Sequence, residues 1–177
     1  MTEHLLKNGK TLTLRKPTKQ DAAAMIAYLN QVGGETDFLL VGKNGCRFTV
    51  EQEEAFIESI NANENSIMLL GFVEDELVSI STLSTPCNPR MAHNAELAIS
   101  VKQAYWNAGV GSYVMQTLIQ FATHNPTITC IHLGVYEQNK RAQALYEKFG
   151  FQQYGYYAHK FIVNGIYHDE ILMNLYL

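Results

Sequence analysis

Trp106-Asn107-Ala108-Gly109-Val110-Gly111-Ser112 separates a strand-like run over 95–101 from a stretch whose apolar residues, Val114, Met115, Leu118, Ile119 and Phe121, have helical spacing. Glycines at 109 and 111 remove the side chains that would keep an anion off the backbone. The free N–H groups in the first turn of the following helix supply donors and a partial positive charge. Ala108, Gly109, Val110, Gly111 and Ser112 therefore read as a cradle for a diphosphate. Two glycines before a helix also describe an ordinary tight turn, so the reading needs a second element. A dinucleotide-binding turn is a poor match, because Gly-x-Gly-x-x-Gly would require glycine where Val114 stands.

The second element is Asn139-Lys140-Arg141-Ala142-Gln143-Ala144-Leu145-Tyr146-Glu147-Lys148-Phe149-Gly150-Phe151, which follows another strand-like run over 128–135. Asn139, Ala142 and Tyr146 are three and four residues apart and share one helical face, and Gly150 suits a helix stop with positive φ. That face carries an amide and a phenol. The same spacing is compatible with Asn139 as a helix cap and Tyr146 packed beside Leu145 and Phe149.

Together the two segments resemble the GNAT superfamily of acetyl-coenzyme A-dependent N-acetyltransferases. That family orders a strand, a Q/R-x-x-G-x-G/A loop opening a helix, a second strand, and a helix bearing N-x-x-A-x-x-L-Y-x-x-x-G-F. Trp106 departs from the Gln or Arg of the first motif position, and a tryptophan there is similar to the branch of ribosomal-protein and spermidine acetyltransferases. The resemblance is clearest over 95–151. Leu12 to Ala22 looks like the family's opening strand and helix start, and Tyr167 to Met173 like its closing strand. The implied fold is α/β (α+β), a central mixed, mostly antiparallel, twisted sheet of about six to seven strands flanked by about four helices. Residues 1–177 would form a single domain.

The chemistry implied is direct acetyl transfer from acetyl-CoA to a primary amine. An alkyl ammonium with a pKa near ~10.4 must lose its proton before it attacks a thioester. Glu96, on the strand before the cradle, occupies a position where many family members carry the general base. Tyr146 matches the family's general acid, which protonates the departing thiolate. Asn139 would hydrogen-bond the cofactor arm, and the backbone groups of Ile99 and Val101 would pair with it like an added strand. Lys102, Lys140, Arg141 and Lys148 are available for the remaining phosphate. Glu35 and Asp37, in the loop 34–40, are candidates to receive a cationic acceptor, and equally fit a solvated loop. His93 and His168 are weaker candidates for the base. A non-catalytic acyl-CoA sensor or interaction module on the same fold is the alternative, since a cofactor pocket does not guarantee turnover.

Composition sets outer bounds. A chain of 177 residues, 47% hydrophobic, suffices for one sizeable core. Net charge −4, pI about 5.8 and the absence of a Lys/Arg cluster argue against a nucleic-acid partner. Cysteines at 46, 87 and 130 lack disulfide or metal-ligand spacing, so no metal is implied and a reducing, cytoplasmic setting is expected. No apolar run approaches the roughly 18 residues that span a bilayer, so no membrane partner is expected. The expected partner is a small-molecule or peptide amine, with a homodimer as the default assembly.

Elsewhere, Asn8-Gly9 predicts a turn into a strand through Leu12 and Leu14 that ends at Pro17. Thr18 with Asp21 and Thr49 with Gln52 are capping signals. They predict one helix burying Ala23, Met25, Ile26 and Leu29, stopping before Gly33-Gly34, and another burying Ala55, Phe56 and Ile60. Strands are predicted over 66–73 and 77–83, with a loop over 85–94. Asn164-Gly165 marks a C-terminal hairpin.

Overall fold

A computed structural model describes all residues, 1–177. The strands are β1 (Thr2–Leu5), β2 (Thr11–Arg15), β3 (Ile67–Val73), β4 (Glu76–Ser84), β5 (Asn94–Val101), β6 (Cys130–Tyr136), β7 (Gln152–Val163) and β8 (Ile166–Tyr176). The helices are α1 (Ala22–Val32), α2 (Val50–Ala62), α3 (Val110–His124) and α4 (Lys140–Lys148). All eight strands form one sheet in the order β1-β2-β3-β4-β5-β6-β8-β7, antiparallel except for the β5–β6 pair. The sheet exceeds the expected six to seven strands. The chain before the Asn8-Gly9 turn pairs as β1, from Thr2 opposite Leu14 to Leu5 opposite Thr11.

Three layers result. Leu12, Leu14, Leu69, Leu83, Leu97 and Ile131 cover one sheet face and pack on Val114, Met115 and Leu118 of α3 and on Tyr146 of α4. Met68, Leu70 and Ile80 cover the other face beneath α1 and α2. The two N-terminal helices sit rotated from the expected faces. Helix α1 buries Ala22, Met25, Tyr28 and Val32, and α2 buries Glu53, Ile57 and Ile60, leaving Phe56 46% exposed. In both sets successive buried residues are three or four apart, and the apolar count alone does not distinguish that stripe from its neighbour. The Thr49–Gln52 capping box is formed: Gln52 N–H donates to Thr49 Oγ1 (3.3 Å) and Thr49 N–H donates to Gln52 Oε1 (2.9 Å).

Strands β5 and β6 determine where a ligand can enter. They pair in parallel only from Asn94 opposite Cys130 to Glu96 opposite His132. Beyond Glu96 the sheet opens between two strands that each keep their outer partner, β4 for β5 and β8 for β6. No helix is long and apolar enough to cross a membrane.

Candidate active site

The opening holds a cavity of about 630 Å³ lined by both parted strands, the first turn of α3, the inward face of α4 and the loop 36–40. Glu96, Ile99, Val101, Gly109, Val110, Gly111, Ser112, Asn139 and Tyr146 all line it.

At one end lies the glycine turn. Gly109 takes φ 107° as the N-cap of α3, a conformation that strains any residue with a Cβ, and it offers no capping side chain. The first-turn N–H groups at 110–112 therefore face the cavity as free donors at the positive end of a 15-residue helix. Gly111 allows α4 to come close, since a Cβ there would stand 3.0 Å from Leu145 Cδ2. Ala108 lies outside the cavity lining, and its carbonyl accepts from Lys7 N–H (3.1 Å).

The cations divide. Arg141 and Lys148 line the cavity, and Lys148 Nζ lies 3.5 Å from Ser112 Oγ. Lys102 is instead buried against Glu76 (2.8 Å), and Lys140 reaches Gln143 Oε1 (3.3 Å). Neither lines the cavity.

Along the middle, β5 presents backbone. Lys102 N–H donates to Val78 O (2.9 Å), so by strand alternation the peptide groups of Ile99 and Val101 point away from β4 and into the gap. The Val101 carbonyl already accepts from Trp106 Nε1 (2.8 Å). Two N–H donors thus remain free on that edge.

Tyr146 stands across from them on α4. Gln143 fixes that helix by donating to the carbonyls of Tyr136 (3.0 Å) and Glu137 (2.8 Å) at the end of β6. Asn139 caps it, with Oδ1 accepting from Ala142 N–H (3.2 Å), so the capping and cavity-lining readings of this residue hold together. The Tyr146 ring packs against Phe151 at 5.9 Å. Burial alone pushes its phenol up to about 12, with no protein hydrogen bond or charge contributing. It is a protonated donor with no protein acceptor, facing the cavity.

Glu96 lies where the strands part and is exposed to the cavity. The two loop carboxylates stand elsewhere. Glu35 accepts from Gln103 N–H (2.7 Å) and Gln31 Nε2 (3.2 Å), tying the end of α1 to the turn after β5. Asp37 is also outside the lining, and its charge helps to raise the Tyr136 phenol, which burial raises most. His93 and His168 do not line the cavity, and His168 packs on Tyr136 at 5.9 Å. What the loop does contribute is mostly apolar: Phe38, Leu39 and Leu40 line the cavity beside Thr36, with the Phe38 ring 5.8 Å from that of Tyr136. Beside these lie Lys160 and Glu170, which sequence reading did not single out. The one signal for Glu170 was a carboxylate heading the apolar run Ile171-Leu172-Met173.

Comparison with known proteins agrees with this architecture. The model of the acetyltransferase (GNAT) family matches residues 36–151. A GNAT-family acetyltransferase from Streptococcus pneumoniae is 30% identical, with 94% of this chain and 99% of that one covered and a TM-score of 0.90. The L-amino acid N-acetyltransferase AaaT of Escherichia coli (strain K12) is 29% identical over 105 residues, a match spanning 59% of this chain and 65% of that protein. The yncA structure from Salmonella typhimurium, solved with its cofactor acetyl-CoA, shares the fold at 18% identity, 94% coverage of each chain and a TM-score of 0.80. With its parted strands, glycine turn and inward-facing tyrosine in the family's order, the chain belongs to the acetyltransferase (GNAT) family of acyl-transferring enzymes.

Proposed function

We propose that the cavity binds acetyl-CoA and transfers its acetyl group directly to a primary amine. The diphosphate lies on the free N–H groups of 110–112 with Arg141 and Lys148 beside it, and the pantetheine arm runs along the open edge of β5. An N–H on that edge polarises the thioester carbonyl. Glu96 takes the proton of the attacking amine through water, the amine nitrogen bonds to the carbonyl carbon, and the carbon–sulfur bond breaks. The thiolate then takes the proton of the Tyr146 hydroxyl.

The observation carrying this reading is that Tyr146 presents a buried phenol, held in the protonated form and without a protein acceptor, to the space between the cradle and the parted strands. The test is calorimetric titration with acetyl-CoA, followed by thiol release on a panel of amino acids, polyamines and N-terminal peptides. Micromolar binding with amine-dependent release is expected. Binding without release on any amine would favour a sensor, and no binding would contradict the cofactor assignment.

A further inference from the structure

The end of the cavity away from the cradle contains a feature that thioester chemistry does not require. Strands β7 and β8 pair at Tyr157 opposite Glu170 and again at Phe161 opposite His168, so β7 advances four residues where β8 advances two. The two surplus residues form a bulge. Within it His159 takes φ 56°, a left-handed conformation that costs a residue with a Cβ of order 1 kcal/mol or more. Asp169 holds it there: one carboxylate oxygen accepts from His159 N–H (2.7 Å) and the other from the Tyr156 hydroxyl.

The bulge changes which side chains enter the cavity. In a regular strand Lys160 and Phe161 would face opposite sides of the sheet, whereas here both line the cavity. Phe161 stacks on Tyr136 with ring centroids 3.9 Å apart and planes 6° from parallel. Lys160 Nζ lies over the Tyr157 ring at 4.9 Å and faces Glu170 Oε2 at 3.6 Å, too far for a hydrogen bond. Glu170 is only 9% exposed, and no protein donor hydrogen-bonds it. Its space is provided across the strand pair by Gly134, where any Cβ would collide with the Glu170 side chain. The Glu170 carboxylate lines the cavity with Lys160 as its ion-pair partner, so a bound molecule can supply the hydrogen-bond donors that the protein does not.

Resting on the transferase reading above, we propose that Lys160 and Glu170 are the acceptor's binding residues and that the acceptor is a free α-amino acid with an apolar side chain. Its amino group donates to Glu170 and its carboxylate meets Lys160, so each charge exchanges its loose partner for a close one. The side chain lies against Phe38, Leu39 and the Tyr136–Phe161 stack. An amine without a carboxylate brings Lys160 no close anionic partner, and a polyamine brings a second positive charge against it.

The test compares L-leucine and L-leucinamide at equal free-base concentration with saturating acetyl-CoA. The wild-type enzyme should favour L-leucine over L-leucinamide at least tenfold in kcat/KM. Lys160→Met, at a partly exposed site, should reduce that ratio below threefold while leaving the KM for acetyl-CoA unchanged. Glu170→Gln should raise the KM for both. Equal use of acid and amide, or an unchanged ratio in Lys160→Met, would overturn the proposal while leaving the transferase reading standing. If no amine releases thiol, the transferase reading fails. Calorimetry of the CoA-bound protein then decides the proposal separately: binding of L-leucine and not of L-leucinamide supports it, and equal or absent binding overturns it.

Discussion

The guanidinium of Arg141 lies 3.2 Å above the ring of Trp106. Trp106 holds the motif position at which the family carries Gln or Arg, and its indole N–H is spent on the Val101 carbonyl. A cation therefore reaches the start of α3 from α4, held by its stack on that indole. Arg141→Ala should raise the KM for acetyl-CoA about tenfold, the size of one lost charge-assisted hydrogen bond, with kcat within about twofold. Steady-state kinetics with acetyl-CoA varied checks this.

Glu96 is the one carboxylate placed where β5 and β6 part. Glu96→Gln should lower kcat/KM for the amine at neutral pH by about 10² or more while acetyl-CoA affinity stays the same. The deficit should narrow as pH rises, because more of the acceptor is already free base. A pH series of thiol release for both proteins measures it.

Gly111 meets Leu145 where α3 and α4 cross behind the cradle. Gly111→Val forces the helices apart, at a cost of about 1–3 kcal/mol for overpacking, and displaces the first-turn donors. Thermal unfolding should show the stability loss, and calorimetry a several-fold weaker binding of acetyl-CoA.

Asp21 accepts from both Arg15 guanidinium nitrogens (2.8 and 2.7 Å) and from Thr18 N–H (2.7 Å). The Arg15 bond, more than any other influence, holds its carboxyl down to about 2 against an ordinary 3.8. Because the folded value is depressed, the stabilisation is present above pH 3.8 and fades as pH falls through about 2. Asp21→Asn should cost about 1–2 kcal/mol at pH 7, allowing for solvent screening at this partly exposed pair. Urea midpoints at pH 7 and pH 3 should show the gap between the two proteins closing.

Much of this was legible in the sequence because it rests on local rules. Glycines at 109 and 111, the Asn139 cap and the Asn164-Gly165 turn each act over a few residues, and the turn into α3, α4 and the last hairpin follow from them. What escaped depends on non-local partners. Glu35 looked like a free loop carboxylate until Gln103, 68 positions away, supplied its donor. Lys160 enters the cavity only through a register shift between β7 and β8, which leaves no composition signal in either strand. Phe56 and Ile57 are adjacent and both apolar, and which of them is buried is decided by how α2 meets α1 and the sheet.

The central claim is that Tyr146 delivers the proton that releases the thiol, and Tyr146→Phe removes that hydroxyl while keeping the packed ring. Measured together, amine-dependent thiol release at saturating acetyl-CoA should fall about 10²-fold or more, while calorimetric affinity for acetyl-CoA stays within about twofold of wild type. Thiol release at the wild-type rate from a variant that binds acetyl-CoA normally would contradict the account.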